Sequence, residues 1–342
     1  MWYVFQKQHA FERRDHSGAV LCEGIISMFS PRILRLSGAF MSVLLLGGTM
    51  NLAIAAKCDL REGATESQGR EGFCKFNSEK RAFDGIPSVQ AACLTRMVKQ
   101  GGHIGGETIT AFLRNLIDSS APPKIDVLEE YLEKLGIEQS EVGGAIPKPI
   151  TANYFIIHDT SSPNCSVKGV SASKCPTLGE FPSNRDEAGW SVNKNFDGHP
   201  QKAPNRVAHV FNSRVGESIT EADFALHLPT TKFETCVDKS AKIGLFIGIE
   251  NIQPRISVPP IPPKGKKVND LDAPTPGFTS KQYDRLALLY LVASVRRDKW
   301  LVPAFHAIVD NQYADGHDDP QHFDMSAFSS ALEKHVDALK AQ

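Results

Sequence analysis

Three short apolar runs in this chain each stop on an ionisable residue, and no other feature constrains the fold as tightly. Tyr154-Phe-Ile-Ile157 ends at His158, Gly244-Leu-Phe-Ile-Gly-Ile249 at Glu250, and Val302-Pro-Ala-Phe305 at His306. Apolar runs this short read as buried strands. α/β folds build their sites at the carboxyl ends of strands. A single histidine there could merely satisfy a buried hydrogen bond, but two at equivalent strand ends point to a site. A carboxylate directly after such a run costs stability unless it is paired or used.

The surrounding pattern extends this frame. Val207 to Asn212 and Glu217 to Thr220 read as two further strands with Gly216 at the turn, and Trp300 to Phe305 as the last one. Tyr283 to Arg297 is the clearest helix, with Ser280 as its cap and Leu286, Leu289, Tyr290 and Ala293 on one stripe. Ser326 to Leu339 closes the chain as an amphipathic helix that carries His335 on its apolar side. Strands alternating with helices give an α/β class. The Pro-, Gly- and Lys-rich stretch from Gln253 to Gly277 reads as a long loop.

Residues 57–148 read instead as a small helical accessory region. Helices are expected over Ser88–Gln100, stopped by Gly101-Gly102, over Thr108–Ile117, and over Asp126–Leu135, capped by Asp126 and stopped by Gly136. His103, among glycines, reads as a surface-loop residue. A shift to Gly and Pro near Gly143–Pro149 places the boundary with the main domain, 149–342.

Arg32 and Arg35 precede an apolar run from Leu36 to Ala56 that ends Ala53-Ile-Ala-Ala56. A basic flank, an apolar stretch and an A-x-A end are the parts of a secretory signal, so 28–56 is expected to be removed on export to the periplasm or medium. A retained membrane anchor is the alternative, because the run approaches spanning length. Lys57 argues against lipidation at Cys58. Residues 1–27 precede the signal, and Met28 is the expected start. Seven cysteines occur, one of them, Cys22, ahead of the signal. An even remainder in an exported chain reads as disulfides, with locality favouring Cys165 with Cys175, and Cys58 with Cys74 or Cys93. A cysteine metal site is disfavoured by the absence of C-x-x-C. The formal net charge of −1 argues against a nucleic-acid partner.

Asp315-Gly-His-Asp-Asp-Pro-Gln-His-Phe-Asp324 adds four carboxylates and two histidines. Read plainly, it is a polar surface loop. Folded over the same sheet edge, it would complete a metal centre, since two histidines and one carboxylate match a catalytic zinc with an open fourth position.

The order of these segments resembles the zinc N-acetylmuramoyl-L-alanine amidases, which share a fold with peptidoglycan-recognition proteins and phage amidase lysozymes. Tyr154-Phe-Ile-Ile-His158-Asp-Thr-Ser-Ser-Pro163 resembles that family's opening strand, Asn205-Arg-Val-Ala-His209 its "N-x-V-S-A-H" strand, and Arg214-Val-Gly216-Glu217 its "D-G-x-I" turn. Leu226–Pro229 with His227 is similar to its "W-H-A-G" segment, and Ile247-Gly-Ile-Glu250-Asn251 to its "I-G-I-E" strand. Gln282-Tyr283 stands where its last long helix opens, and His306, Asp319-Pro320 and Phe323-Asp324 where its closing motif falls. The likeness covers roughly residues 150–340 and leaves 57–148 without a counterpart.

The resemblance implies a central mixed β-sheet flanked by helices, and zinc on His158, His306 and Asp319. It implies Glu250 as the catalytic carboxylate, His317 where the family often carries an oxyanion-stabilising lysine, and Asn205, His209 and His227 as structural or cleft-lining residues. The implied activity is hydrolysis of the amide between N-acetylmuramic acid and L-alanine in peptidoglycan or its fragments. The departures are Phe305 before His306 in place of glycine, a longer gap from His306 to Asp319, Gln321 for a glycine, and His317 for the lysine. An imidazolium can still donate to an oxyanion, with activity falling as it loses its proton. Other readings stay open: His317 in place of His306 as ligand, a zinc peptidase acting within stem peptides, or a peptidoglycan-binding module without catalysis.

Overall fold

The computed structural model describes residues 58–61, 74–99, 103–161, 208–237, 244–255, 272–275, 277–314 and 316–341. The expected signal and upstream segment, Cys22, Cys165, Cys175, Asn205 and most of the 253–277 stretch lie outside the described residues.

The N-terminal part begins with a short hairpin, β1 (Phe76–Asn77) and β2 (Ala82–Phe83), followed by α1 (Pro87–Leu94). The helix expected to run to Gln100 stops at Leu94. Arg96–Val98 forms a strand instead, β3, which pairs antiparallel with β4 (Ile104–Glu107). Sheet hydrogen bonds to β4 satisfy the backbone that a longer helix would have used, and Met97 points outward. Next come α2 (Ala111–Ser119), capped by the Thr110 hydroxyl, and α3 (Ile125–Leu135). Gly136 ends α3 in the left-handed region at φ 65°, while Asp126 lies in its first turn and not at the cap.

The main sheet has five strands: β5 (Tyr154–Asp159), β6 (Val210–Asn212), β7 (Ser218–Thr220), β8 (Phe246–Asn251) and β9 (Val302–Phe305). Their spatial order is β7-β6-β8-β5-β9. β5 is central and parallel to both β8 and β9, β6 is parallel to β8, and only β7 is antiparallel. The fold is therefore α/β with a mixed sheet. Both faces of β5 and β8 are covered, which explains why these strands read as unbroken apolar runs and not as alternating ones.

On one face lies α5 (Ser280–Arg297), buried around nearly its whole circumference, with Tyr290 edge-on to Phe155. Its cap is Thr279, in a capping box with Gln282, one residue before the expected Ser280. α7 (Met325–Lys340) starts at Asp324, whose carboxylate accepts from the Ser326 and Ala327 N–H groups. On the other face, Phe83 packs edge-on against Tyr154, and the Tyr154 hydroxyl receives the Phe83 N–H and donates to Gln90. α4 (Lys232–Val237) covers the same face, with Phe233 against Phe76, Phe83 and Phe246. One hydrophobic core runs from Phe76 through the sheet to Leu339, so the N-terminal elements and the sheet share it. His335 belongs to that packing, with Nδ1 at 2.8 Å from the Tyr131 hydroxyl.

Two disulfides are present among the described residues, Cys74–Cys93 and Cys58–Cys236. The expected partner of Cys58 is thus corrected. Cys74 and Cys93 bind each other between the β1 approach and α1, and Cys58 instead crosses 178 residues to α4. Sequence proximity could not choose between them, because the fold brings α4 to the chain's N-terminal segment. No described helix is long and apolar enough to cross a membrane.

Candidate metal centre

The register of the parallel strands builds the centre. His158 on β5 stands directly beside Glu250 on β8, and Ile157 beside Phe305 on β9. The residue after Phe305 is His306, which opens a short helix, α6 (His306–Val309), so three ionisable residues emerge together at the carboxyl edge. The connection that follows then carries Asp319 back to the same edge.

Gly248 makes the room. A Cβ there would lie 2.8 Å from Thr230 Cγ2 and 3.4 Å from His158 Nε2. The glycine two residues before Glu250 is therefore a packing requirement of the face that holds His158. Gly248→Ala is expected to destabilise the fold by about 1–3 kcal/mol through overpacking, measured by urea denaturation; unchanged stability would mean that Thr230 moves aside freely.

His158, His306 and Asp319 are buried and turn one ligand atom each toward a common point. His158 Nδ1 is 2.9 Å from His306 Nδ1, and Asp319 Oδ2 lies 3.3 Å from His306 Nδ1 and 3.7 Å from His158 Nδ1. A tetrahedral ion bound at roughly 2.0–2.1 Å has ligand–ligand edges of about 3.3 Å. The three observed separations bracket that edge, so the donor set fits a metal ion of this size.

The surroundings fix the ligands as a metal site requires. His306 Nε2 lies 2.9 Å from Asp310 Oδ2, which holds the proton on Nε2 and leaves the Nδ1 lone pair for an ion. Asp310 is itself held by the Lys232 and Phe233 N–H groups at the start of α4, at 3.0 and 2.8 Å. Asp319 Oδ2 accepts the Asp159 N–H at 3.1 Å. Asn251 donates to the His158 carbonyl at 2.9 Å and locks β8 to β5 at their ends.

Electrostatics follow from this crowding. Burial, reinforced by neighbouring His306, pushes His158 well below the usual imidazole range. Burial also opposes charge on His306, but the Asp319 and Asp310 carboxylates outweigh it and raise His306 well above that range. Burial favours the neutral form of Asp319 too, yet His306 more than offsets it and holds the carboxyl low. Glu250 is raised well above the ordinary carboxyl value, by burial first and the Asp319 charge second, and its Oε2 is buried without a hydrogen-bond partner among the described residues. A divalent cation among the three ligands would invert this balance and favour ionised Glu250 and neutral His306.

No family model, curated protein or solved structure matches the chain. The centre therefore has to be read from its own geometry. His317 stacks on His306 with ring centroids 4.4 Å apart, and its Nδ1 lies 3.7 Å from Asp319 Oδ1. With its side chain 43% exposed beside three buried ligands, it is the solvent-side member of the group. Among the described residues, the group that could hold a metal ion contains His306 and not His317.

Two other expected residues sit elsewhere. His209 is fully buried, accepts the Gly248 N–H at Nδ1 and donates from Nε2 to the Leu226 carbonyl; burial lowers its pKa to about 4. It ties β6 to β8 as a neutral ring. His227 lies against Thr151 and Gly244, at the opposite end of the sheet from the metal ligands. Asn205 lies outside the described residues.

The structure adds residues that the sequence did not single out. Arg255 is completely buried and clamps both Asp159 carboxylate oxygens, at 2.7 and 2.9 Å, with Asp318 at 3.7 Å. It thus binds the residue after His158 to the residue before Asp319, and Gln321 completes the clasp by donating to Asp318 at 2.7 Å. Arg255→Met is expected to cost about 3–5 kcal/mol, because it leaves two buried carboxylates without their cation. Adding Asp159→Asn should recover part of that loss. Equal urea midpoints for wild type and the single variant would contradict this role. Asp310 had one available signal, its position four residues after His306, which places both on one helix face. Arg255 had none, lying in a stretch read as loop.

Proposed function

We propose that this chain is an exported zinc amidase of the N-acetylmuramoyl-L-alanine amidase type. On this reading it works in the periplasm or medium on peptidoglycan or soluble muropeptides, cutting the bond between the lactyl group of N-acetylmuramic acid and L-alanine. The observation that carries the reading is the convergence of His158, His306 and Asp319 at one sheet edge, with Glu250 beside His158 in register. Two imidazoles and a carboxylate suit zinc, and a carboxylate next to them suits hydrolysis. Two disulfides fit an oxidising compartment.

Zinc, when bound, supplies a water acidified toward neutrality and polarises the substrate carbonyl. His158, His306 and Asp319 would hold the ion, with Asp310 and the Asp159 N–H positioning His306 and Asp319. Glu250 accepts the proton of the attacking water and delivers it to the leaving amine of L-alanine. His317, on the solvent side, donates to the carbonyl oxygen as negative charge develops there. Amide substrates would approach from the side of His317, the exposed member of the group.

The test is hydrolysis of a soluble N-acetylmuramoyl-L-alanyl peptide. Release of the alanine amine should stop after dialysis against a chelator and return with added zinc. A chelated protein that keeps its full rate would overturn the reading.

A further inference from the structure

The connection from His306 to Asp319 spans thirteen positions and is fastened from outside the sheet. Leu60 forms an antiparallel bridge with Tyr313. The Arg61 N–H donates to the Gln312 carbonyl at 2.8 Å, and the Ala314 N–H donates to the Asp59 carbonyl at 2.8 Å. The Arg61 Nε donates to the Tyr313 carbonyl at 2.6 Å. Residues 58–61 thus lie along 312–314 through one β-bridge and its flanking hydrogen bonds.

The Cys58 end of that segment is anchored. Cys58 is bonded to Cys236 on α4. The first N–H groups of α4 hold Asp310, and Asp310 holds His306. These contacts close a ring: Cys58 to the 312–314 segment, back to Asp310, on to α4, and through Cys236 to Cys58. Both metal ligands at the ends of the connection are set by it, His306 through Asp310 and Asp319 through the path of the chain.

We propose that Cys58–Arg61, locked by the Cys58–Cys236 disulfide, is a strap that positions His306 and Asp319, so the metal centre reaches full affinity only in the oxidised chain. The proposal rests on the metal reading of His158, His306 and Asp319. Closing the strap takes two electrons and two protons from the two thiols, accepted by a thiol–disulfide exchange oxidant of the export compartment. Before that step α4 has no covalent link to the strap. The other disulfide, Cys74–Cys93, lies outside this ring and supplies an internal control.

The experiment compares zinc dissociation constants, by competition with a chromophoric chelator, for wild type and three variants. Cys58→Ser with Cys236→Ser should weaken zinc binding by about 10–100-fold, the range for losing a residue that supports a metal ligand. Arg61→Ala, which keeps the disulfide, should shift the constant in the same direction. Cys74→Ser with Cys93→Ser should lower thermal stability and leave the zinc constant unchanged. An unchanged constant in the Cys58/Cys236 pair overturns the strap, as does an equal shift in the Cys74/Cys93 pair, which would mean general loosening. If the Cys58/Cys236 pair fails to fold, an unchanged constant in Arg61→Ala overturns it. A folded wild type that binds no zinc defeats the metal reading itself, and the strap with it.

Discussion

Replacing His158 by Ala, or Asp319 by Asn, should take the purified protein from one bound metal ion to none. The size of the effect follows from sharing. A protein zinc site is worth about 10–16 kcal/mol in total. Divided among three or four ligands, each carries roughly 3–5 kcal/mol, or about 10²–10⁴ in affinity. Asp319→Asn is preferred to Ala because the Asp159 N–H needs an acceptor, and the amide oxygen can still provide one. It removes the charge and keeps the hydrogen bond, so loss of metal in a folded protein isolates the ligand role. Elemental analysis after dialysis reads the stoichiometry, and chelator competition reads the affinity. Full metal content in both variants would contradict the assignment.

The second large effect is expected at Glu250. Glu250→Gln should keep the metal and lose about 10²–10⁴ in kcat, the usual contribution of a positioned general base. The physical reason for choosing Gln lies in the burial of this residue. Its carboxyl is held well above the ordinary carboxyl value, so in the metal-free fold the neutral form is favoured. Glutamine imitates that neutral form in size and shape, and the fold should tolerate it. What it cannot do is take a proton. Metal content and thermal midpoint near those of wild type, with turnover gone, would establish Glu250 as the base. Full turnover would exclude it. A fall in metal content would move Glu250 from the proton path to the support of the ligands.

The two variants separate binding from proton transfer, and the same division marks how far the sequence could be read. The strands ending at His158, Glu250 and His306 were legible because buried parallel strands leave unbroken apolar runs, and an ionisable residue at the end of one is conspicuous. Asp319 was legible only as one of several carboxylates between Asp315 and Asp324, with the family likeness choosing among them. The local elements were read with errors at their ends. The α1 helix was overextended because Val89, Cys93 and Met97 keep helical spacing, while pairing with β4 takes over from Arg96.

What could not be read was long-range. The Cys58–Cys236 bond joins residues 178 apart, and nearness along the chain favoured other partners. Arg255 and Asp159 meet only because β5 and β8 are neighbours in register and Arg255 follows the end of β8 by four residues. His227 sits in a segment similar to a cleft-lining motif, yet it is found by Thr151 and Gly244, where the strands begin. Motif order carried the pattern of the sheet; it did not carry which end of the sheet a side chain occupies.

The proposed bond specificity is tested by digesting purified cell-wall sacculi with the zinc-loaded protein and identifying the soluble products by mass spectrometry. The account predicts free stem peptides beginning with L-alanine, absent when Glu250→Gln replaces the wild type. Stem peptides cut at an internal bond, with L-alanine still joined to the sugar, would contradict it.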